Sequence, residues 1–246
     1  RHCRLAETAA ILSLCGKIVI TENDRYCVKI QTENLAVARK YFTLLRKTFN
    51  IRAEVSVRKS REVRFYAVIV SKDPEARRLL GETCLLDKDG NVSECMSPMH
   101  HRLLRQNCCR RAFIRGAFLA AGSISDPEKF YHFEIVCPSM AKAEQLKGII
   151  AAFDMEPKIV PRKKHYVVYI KEGDQIVDIL NVMEAPVALM ELENIRILRG
   201  MRGNVNRQVN CETANINKTV SAAVKQMEDI RFIQETIGLD GLPESL

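Results

Sequence analysis

Residues 114–122 read Ile114-Arg115-Gly116-Ala117-Phe118-Leu119-Ala120-Ala121-Gly122, and residues 8–16 read Thr8-Ala9-Ala10-Ile11-Leu12-Ser13-Leu14-Cys15-Gly16. Both are apolar helical stretches closed by a glycine. Ala9, Ala10 and Ser13 in one, and Gly116, Ala117, Ala120 and Ala121 in the other, are small enough to let two helices approach closely. The alternative is an ordinary buried helix that happens to be Ala-rich. The residues after each stretch decide between them, because the chain repeats itself.

After Gly16 a hairpin is expected, Lys17 to Ile20 and Arg25 to Gln31, turning at Thr21-Glu22-Asn23-Asp24. A helix over Asn34 to Phe49 carries Leu35, Ala38, Phe42, Leu45 and Phe49 on one stripe. Strands Ala53 to Arg58 and Val63 to Val70 come next, then a helix opened by Asp73-Pro74. The second copy keeps this order. Helix Arg111 to Ala121 ends at Gly122, and strands Ser123 to Ser125 and Tyr131 to Val136 flank the turn Asp126-Pro127-Glu128-Lys129. Helix Ser139 to Phe153 has Ser139 as its expected N-cap. Strands Lys158 to Pro161 and Tyr166 to Lys171 and a helix over Asp174 to Met183 complete it. Gly16 pairs with Gly122, Phe49 with Phe153, Val55 with Ile159, and Tyr66 with Tyr166, and the offset between copies shortens only in turns. The fold class is α+β: two pseudo-twofold-related α-β-β-α-β-β-α repeats, each a four-stranded antiparallel sheet with helices on one face. Strand alternation puts Glu54, Ser56 and Arg58 on one face and Ala53, Val55 and Val57 on the other. An open polar sheet face suits a large ligand.

This order of elements resembles the LAGLIDADG homing endonucleases. In that family the helix opening each repeat meets its partner at the centre of the molecule. An acid at the eighth motif position then holds the divalent metal for phosphodiester cleavage. Here those positions are Cys15 and Ala121. Magnesium is a hard cation that takes oxygen ligands; alanine offers none, and a buried neutral thiol is a poor substitute. Glu22, Asp24, Asp126 and Glu128 lie nearby in sequence but in hairpin turns, where they read as solvated turn residues. No catalytic residue is expected.

The chain resembles one bacterial family more closely, the WhiA-type regulators of sporulation and cell division. The residues that carry this are Cys108-Cys109-Arg110-Arg111-Ala112-Phe113 with Gly116-Ala117-Phe118-Leu119, Tyr166-Val167-Val168-Tyr169-Ile170-Lys171-Glu172-Gly173, and Asn206-Arg207-Gln208-Val209-Asn210-Cys211-Glu212-Thr213-Ala214-Asn215. The resemblance implies a transcription regulator with a degenerate homing-endonuclease region and a C-terminal helix-turn-helix. On this reading the chain ends, just after Gly241-Leu242-Pro243, before that helix-turn-helix. It keeps only a lead-in helix, Lys218 to Thr236, and its start looks trimmed. The expected domains are residues 1–86 (first repeat), 87–107 (linker, with turn signals at Asp89-Gly90-Asn91 and Ser97-Pro98), 108–203 (second repeat plus a helix) and 204–246 (linker and lead-in helix).

Candidate DNA contacts are the basic turns between the third and fourth strands: Arg58, Lys59, Arg61 and Arg64 in one copy, and Arg162, Lys163 and Lys164, beside His165, in the other. Such turns could grip phosphates, each neutralised phosphate adding salt-dependent affinity. They could equally be hairpin tips kept soluble by charge. A further set is Arg199, Arg202 and Arg207, with Arg196, for which DNA and the acidic face of a neighbouring helix are both open readings. Gly200 and Gly203 argue against a helix continuing that far, and Asn210 to Asn217 reads as a capped, hydrogen-bonded linker. Cys95, His100, His101, Cys108 and Cys109 invite a zinc reading, but their spacing fits no usual finger and adjacent side chains on a helix diverge. No metal and no cofactor are expected.

Composition sets the frame. The 246 residues are 47% hydrophobic and 28% charged, which fits a globular core. No run of about 18 apolar residues could cross a membrane. The 38 basic against 30 acidic residues give +8, a weak pointer to a polyanion. Nine cysteines without a CxxC pair fit a reducing cytoplasm. No P-loop, dinucleotide, HExxH or nucleophile-elbow pattern is present. The expectation is a non-catalytic, cytoplasmic, nucleoid-associated regulator whose partner is double-stranded DNA. A transcription regulator or RNA polymerase component is a possible protein partner. A protein-interaction scaffold and, behind it, a metal-dependent nuclease stand as alternatives.

Overall fold

The computed structural model describes all residues except 21–24, 61–62, 87–91, 93–102 and 237–246. Its elements are α1 (His2–Cys15), β1 (Gly16–Ile20), β2 (Tyr26–Thr32), α2 (Leu35–Leu44) running into a π-helical turn (Leu45–Phe49), β3 (Glu54–Ser60), β4 (Val63–Val70) and α3 (Asp73–Glu82). The second copy is α4 (Asn107–Ala121), β5 (Gly122–Ile124), β6 (Phe133–Cys137), α5 (Met140–Ala151), β7 (Lys158–Arg162), β8 (His165–Ile170) and α6 (Gly173–Val182), followed by α7 (Pro186–Thr236). The two sheets have the same strand order, β1-β2-β4-β3 and β5-β6-β8-β7, and every pairing is antiparallel.

Local chemistry explains the starts and stops. The Asn34 side chain caps α2, accepting from Ala36 N at 2.9 Å and Val37 N at 3.4 Å. Asp73, at the head of α3 beside Pro74, accepts from Tyr26 N at 2.7 Å and so ties that helix to β2. Ser139 precedes α5 as expected, but its hydroxyl makes no cap bond and is buried without a partner. Helix α2 turns its face further round than the sequence stripe implies. Val37, Ala38, Tyr41, Leu44 and Leu45 are buried, while Leu35 is 41% exposed.

Each sheet covers its own core. Val28, Ile30, Val68 and Val70 pack with α2 and α3 in the first, and Phe133, Ile135, Val168 and Ile170 with α5 and α6 in the second. Helices α1 and α4 join the two. Ala6, Ala9 and Ala10 of α1 belong to the second copy's core, and Ala120 of α4 packs against the first copy's. The helices run parallel, since His2 meets Cys109 at one end and Glu7 meets Arg115 further along. A Cβ on Gly116 would stand 2.5 Å from the Glu7 carbonyl oxygen, so only glycine permits this approach. Gly16 and Gly122 act alike at the other end. Each directs its amide to the carbonyl four residues back and passes without a loop into the first strand of its sheet.

The linker expected after residue 203 is not what forms. Helix α7 is continuous over 51 residues, through Gly200, Gly203 and the Asn-rich stretch. Neither glycine breaks it, because a helical glycine costs only about 1 kcal/mol relative to alanine. Side chains support it along its length, for example Gln208 Nε2 to Glu212 Oε1 at 3.0 Å and Thr219 Oγ1 to the Asn215 carbonyl at 3.0 Å. Contacts divide the chain into two compact units, Arg1–Leu192 and Glu193–Leu246. Among the described residues, no helix is long and apolar enough to cross a membrane.

Candidate nucleic-acid interface and the degenerate centre

At the end of α1 the Cys15 thiol donates to the Ile11 carbonyl at 3.1 Å, and burial pushes it up to about 11. It is a protonated thiol at neutral pH, turned back onto its own helix. The matching end of α4 is Ala121, which has no donor atom. Lys142 Nζ donates to the Ser13 carbonyl at 2.6 Å, placing an ammonium group at the C-terminal end of α1. The adjoining groove, about 500 Å³, is lined by Cys15, Lys17, Gln31, Glu33, Asn34 and Gly122 among others, and among the described residues Glu33 is its single lining carboxylate. One carboxylate, a neutral thiol and neighbouring ammonium groups form a poor donor set for a hard divalent cation. Of the turn acids, Asp126 accepts from Glu128 N at 3.0 Å within its own turn, and Glu22 and Asp24 lie outside the described residues.

Strand register sorts the basic residues by face. In β3 and β4, Arg58 stands opposite Phe65 and Lys59 opposite Arg64. Directly opposed residues share a face. Lys59 and Arg64 therefore lie on the side of Val55, Val57, Tyr66 and Val68, towards the helices, and only Arg58 lies on the open face. The basic residues of this turn thus divide between the two faces of the sheet. Arg61 lies outside the described residues. Val55 and Val57 are on the helix side as expected, yet they are 55% and 57% exposed because this edge strand overhangs the core. In the second copy Arg162 pairs with His165 on the open face, while Lys163 and Lys164 form the exposed tip, with Lys163 in the left-handed region at φ 58°.

The open faces carry further residues that the basic turns do not include. Lys17 stands opposite Lys29, and Lys29 opposite Ile69, on the face away from Val28 and Ile30. The sequence signal for them is the alternation in β2, with Tyr26, Val28 and Ile30 buried and Cys27, Lys29 and Gln31 not. On the second sheet Glu134 takes the place of Lys29 and is engaged throughout. It accepts from Ser123 Oγ at 3.1 Å, lies 3.1 Å from His132 Nε2 and 3.5 Å from Arg162 Nη1. Although burial raises the Glu134 carboxyl, hydrogen bonds from His132 and Ser123 outweigh this and hold it below its ordinary value. The first sheet thus offers Lys17, Lys29 and Arg58, and the second offers Arg162 and Lys158. On α7, Arg199, Arg202 and Arg207 are exposed, Arg207 beside Asn204, while Arg196 pairs with Glu193 at 3.0 Å.

Comparison with known proteins agrees with this architecture. The family model described as the WhiA N-terminal LAGLIDADG-like domain matches residues 1–86, and the WhiA LAGLIDADG-like domain matches residues 110–202. The WhiA C-terminal HTH domain matches residues 205–246, which corrects the expectation that the chain ends before that domain. The chain is 52% identical over its whole length to the probable cell division protein WhiA of Lachnoclostridium phytofermentans, covering 79% of it. It is 46% identical to that of Alkaliphilus oremlandii, again over its whole length and 78% of the relative. In fold it resembles the crystal structure of full-length DUF199/WhiA from Thermatoga maritima (TM-score 0.69, 21% identity, 99% of this chain and 76% of that one). It also resembles I-DmoI in complex with DNA and Mn (TM-score 0.50, 16% identity, 73% of this chain and 97% of that one).

Proposed function

Because the chain belongs to the WhiA family, whose curated relatives are named as probable cell division proteins, we propose that it is a DNA-binding regulator that keeps a LAGLIDADG saddle without its cutting chemistry. The observation that carries this is the pair Cys15 and Ala121 at the helix ends, one a thiol raised to about 11 and the other a methyl group. Two-metal phosphodiester cleavage needs anionic oxygen ligands there. Duplex binding then rests on Arg58, Lys17 and Lys29 of the first sheet and Arg162 of the second, with Lys59, Arg64, Lys163 and Lys164 at the sheet ends meeting flanking phosphates. These contacts position the duplex and read no bases. Sequence reading falls to the helix-turn-helix, whose family model begins at residue 205, with Arg207 within it and Arg199 and Arg202 just before it. On this reading the chain serves sporulation, cell division and chromosome segregation, and works in the cytoplasm at the nucleoid.

The test is incubation of supercoiled plasmid with the chain in magnesium or manganese. Retarded but intact plasmid supports the reading. Nicked or linear product that disappears on Cys15→Ala would overturn it. A second reading, a scaffold for a regulator or polymerase component, draws on the exposed apolar residues Leu198, Met201, Val205 and Val209 of α7. On that reading duplex affinity is absent and the same residues mediate protein binding.

A further inference from the structure

At the N-terminal end of the central helix pair, four ligand-type side chains converge from two distant parts of the chain. His2 and Cys3 open α1, and Cys108 and Cys109 open α4. His2 Nδ1 lies 3.1 Å from Cys109 Sγ, 3.3 Å from Cys3 Sγ and 3.9 Å from Cys108 Sγ, and all four donor atoms fall within 4.8 Å of one another. Sequence spacing alone argues against zinc at Cys108 and Cys109, because adjacent residues on one helix diverge. Parallel packing of a second helix removes that objection by supplying His2 and Cys3 between them. Cys95, His100 and His101, the other zinc candidates in the sequence, lie outside the described residues.

We propose that His2, Cys3, Cys108 and Cys109 form a tetrahedral zinc site that pins the two repeats together at the start of their central helices. Zinc takes three thiolates and an imidazole at about 2.3 and 2.0 Å, which sets its ligand atoms roughly 3.5–3.8 Å apart. The observed separations bracket that range, so loading needs side-chain adjustment and no movement of the helices. The electrostatics favour the ligand set as well. Two parallel helices bring their positive ends to the same place, and three thiolates around one dication leave a net negative charge there. Cysteine binds zinc as the thiolate, so uptake of the ion at this cluster releases protons. One ligand is buried, one half-buried and two are exposed, which gives an ion a route in. The site is structural, with all four positions filled by protein. It lies at the opposite end of the helix pair from Cys15 and Ala121, and so does not restore a cutting centre.

The test uses the 246-residue chain, reduced and stripped with a chelator, then titrated with cobalt as a spectroscopic probe and with zinc. The expected result is one equivalent bound, the intense visible bands of tetrahedral thiolate-ligated cobalt, their displacement by zinc, and a raised unfolding temperature with zinc over chelator. Cys3→Ser with Cys108→Ser removes the bands and the zinc-dependent thermal shift, whereas Cys211→Ser, on α7, keeps both. Should the double variant misfold, the unmodified chain still decides through its own cobalt spectrum. Octahedral cobalt bands, no zinc-dependent shift, or equal binding by the double variant would overturn the proposal. So would a reduced chain that forms a Cys3–Cys109 disulfide on mild oxidation and takes up no metal before it.

Discussion

Arg115 of the second central helix donates from Nε to Glu7 Oε1 of the first at 3.1 Å, joining the two repeats through a carboxylate only 3% exposed. Lys40 reaches the same oxygen at 3.2 Å, and Arg115 also holds Glu184 at 2.8 Å. A buried carboxylate needs its partners more than an exposed one does. Arg115→Met is therefore expected to cost about 3 kcal/mol. Lys40→Met, with the lysine 43% exposed, is expected to cost no more than about 1 kcal/mol. Urea denaturation of both variants checks the order, and equal losses would contradict it.

Gly116 and Gly148 are both helical glycines, with opposite surroundings. A Cβ at Gly116 meets the Glu7 carbonyl oxygen at 2.5 Å and the Ala10 Cβ at 3.0 Å, whereas one at Gly148 meets nothing within 4 Å. Gly116→Ala must push α1 and α4 apart and is expected to destabilise by about 1–3 kcal/mol. Gly148→Ala is expected to stabilise by about 0.5–1 kcal/mol. Thermal unfolding of the pair reads both signs.

Glu134 gives the acid limb of the stability profile a specific contributor. Its folded-state carboxyl lies below the ordinary 4.5, so its contribution is complete above that value and fades as pH falls through the depressed one. Glu134→Gln is expected to flatten the loss of stability between neutral and acid pH and to free Arg162. Unfolding midpoints measured across that range test this, and an unchanged acid limb would refute it.

The cysteines should separate by reactivity. Burial pushes the thiols of Cys15 and Cys137 up to about 11, and Cys211 is exposed on α7. Alkylation at neutral pH followed by peptide mass analysis should mark Cys211 well before Cys15 and Cys137. Early labelling of Cys15 would argue for an ionised sulfur at the degenerate centre.

Much of the fold is legible in the sequence because its signals are local. The matched Gly16 and Gly122, the alternation along each strand and the Asp73-Pro74 helix start are all written within a few residues of where they act. The faces of the basic residues are not legible in the same way. Which side Lys59 takes depends on its pairing with Arg64, a fact of hairpin register and not of composition. Helix α7 reads as a linker in sequence because asparagines and glycines signal turns, while the pairs that carry an exposed helix are spread thinly along it. The His2–Cys109 contact spans 107 positions and exists only because Gly116 lets the central helices meet.

The salt dependence of affinity for random duplex DNA is the most direct test, comparing the chain with Lys17→Ala, Lys29→Ala, Arg58→Ala and Arg162→Ala combined. Binding by the unmodified chain should weaken steeply with salt, and the variant's logarithmic slope should be shallower by roughly 0.9 for each phosphate it no longer neutralises. An unmodified chain with no salt-dependent binding, or a variant with the same slope, would contradict the claim that the open sheet faces hold DNA.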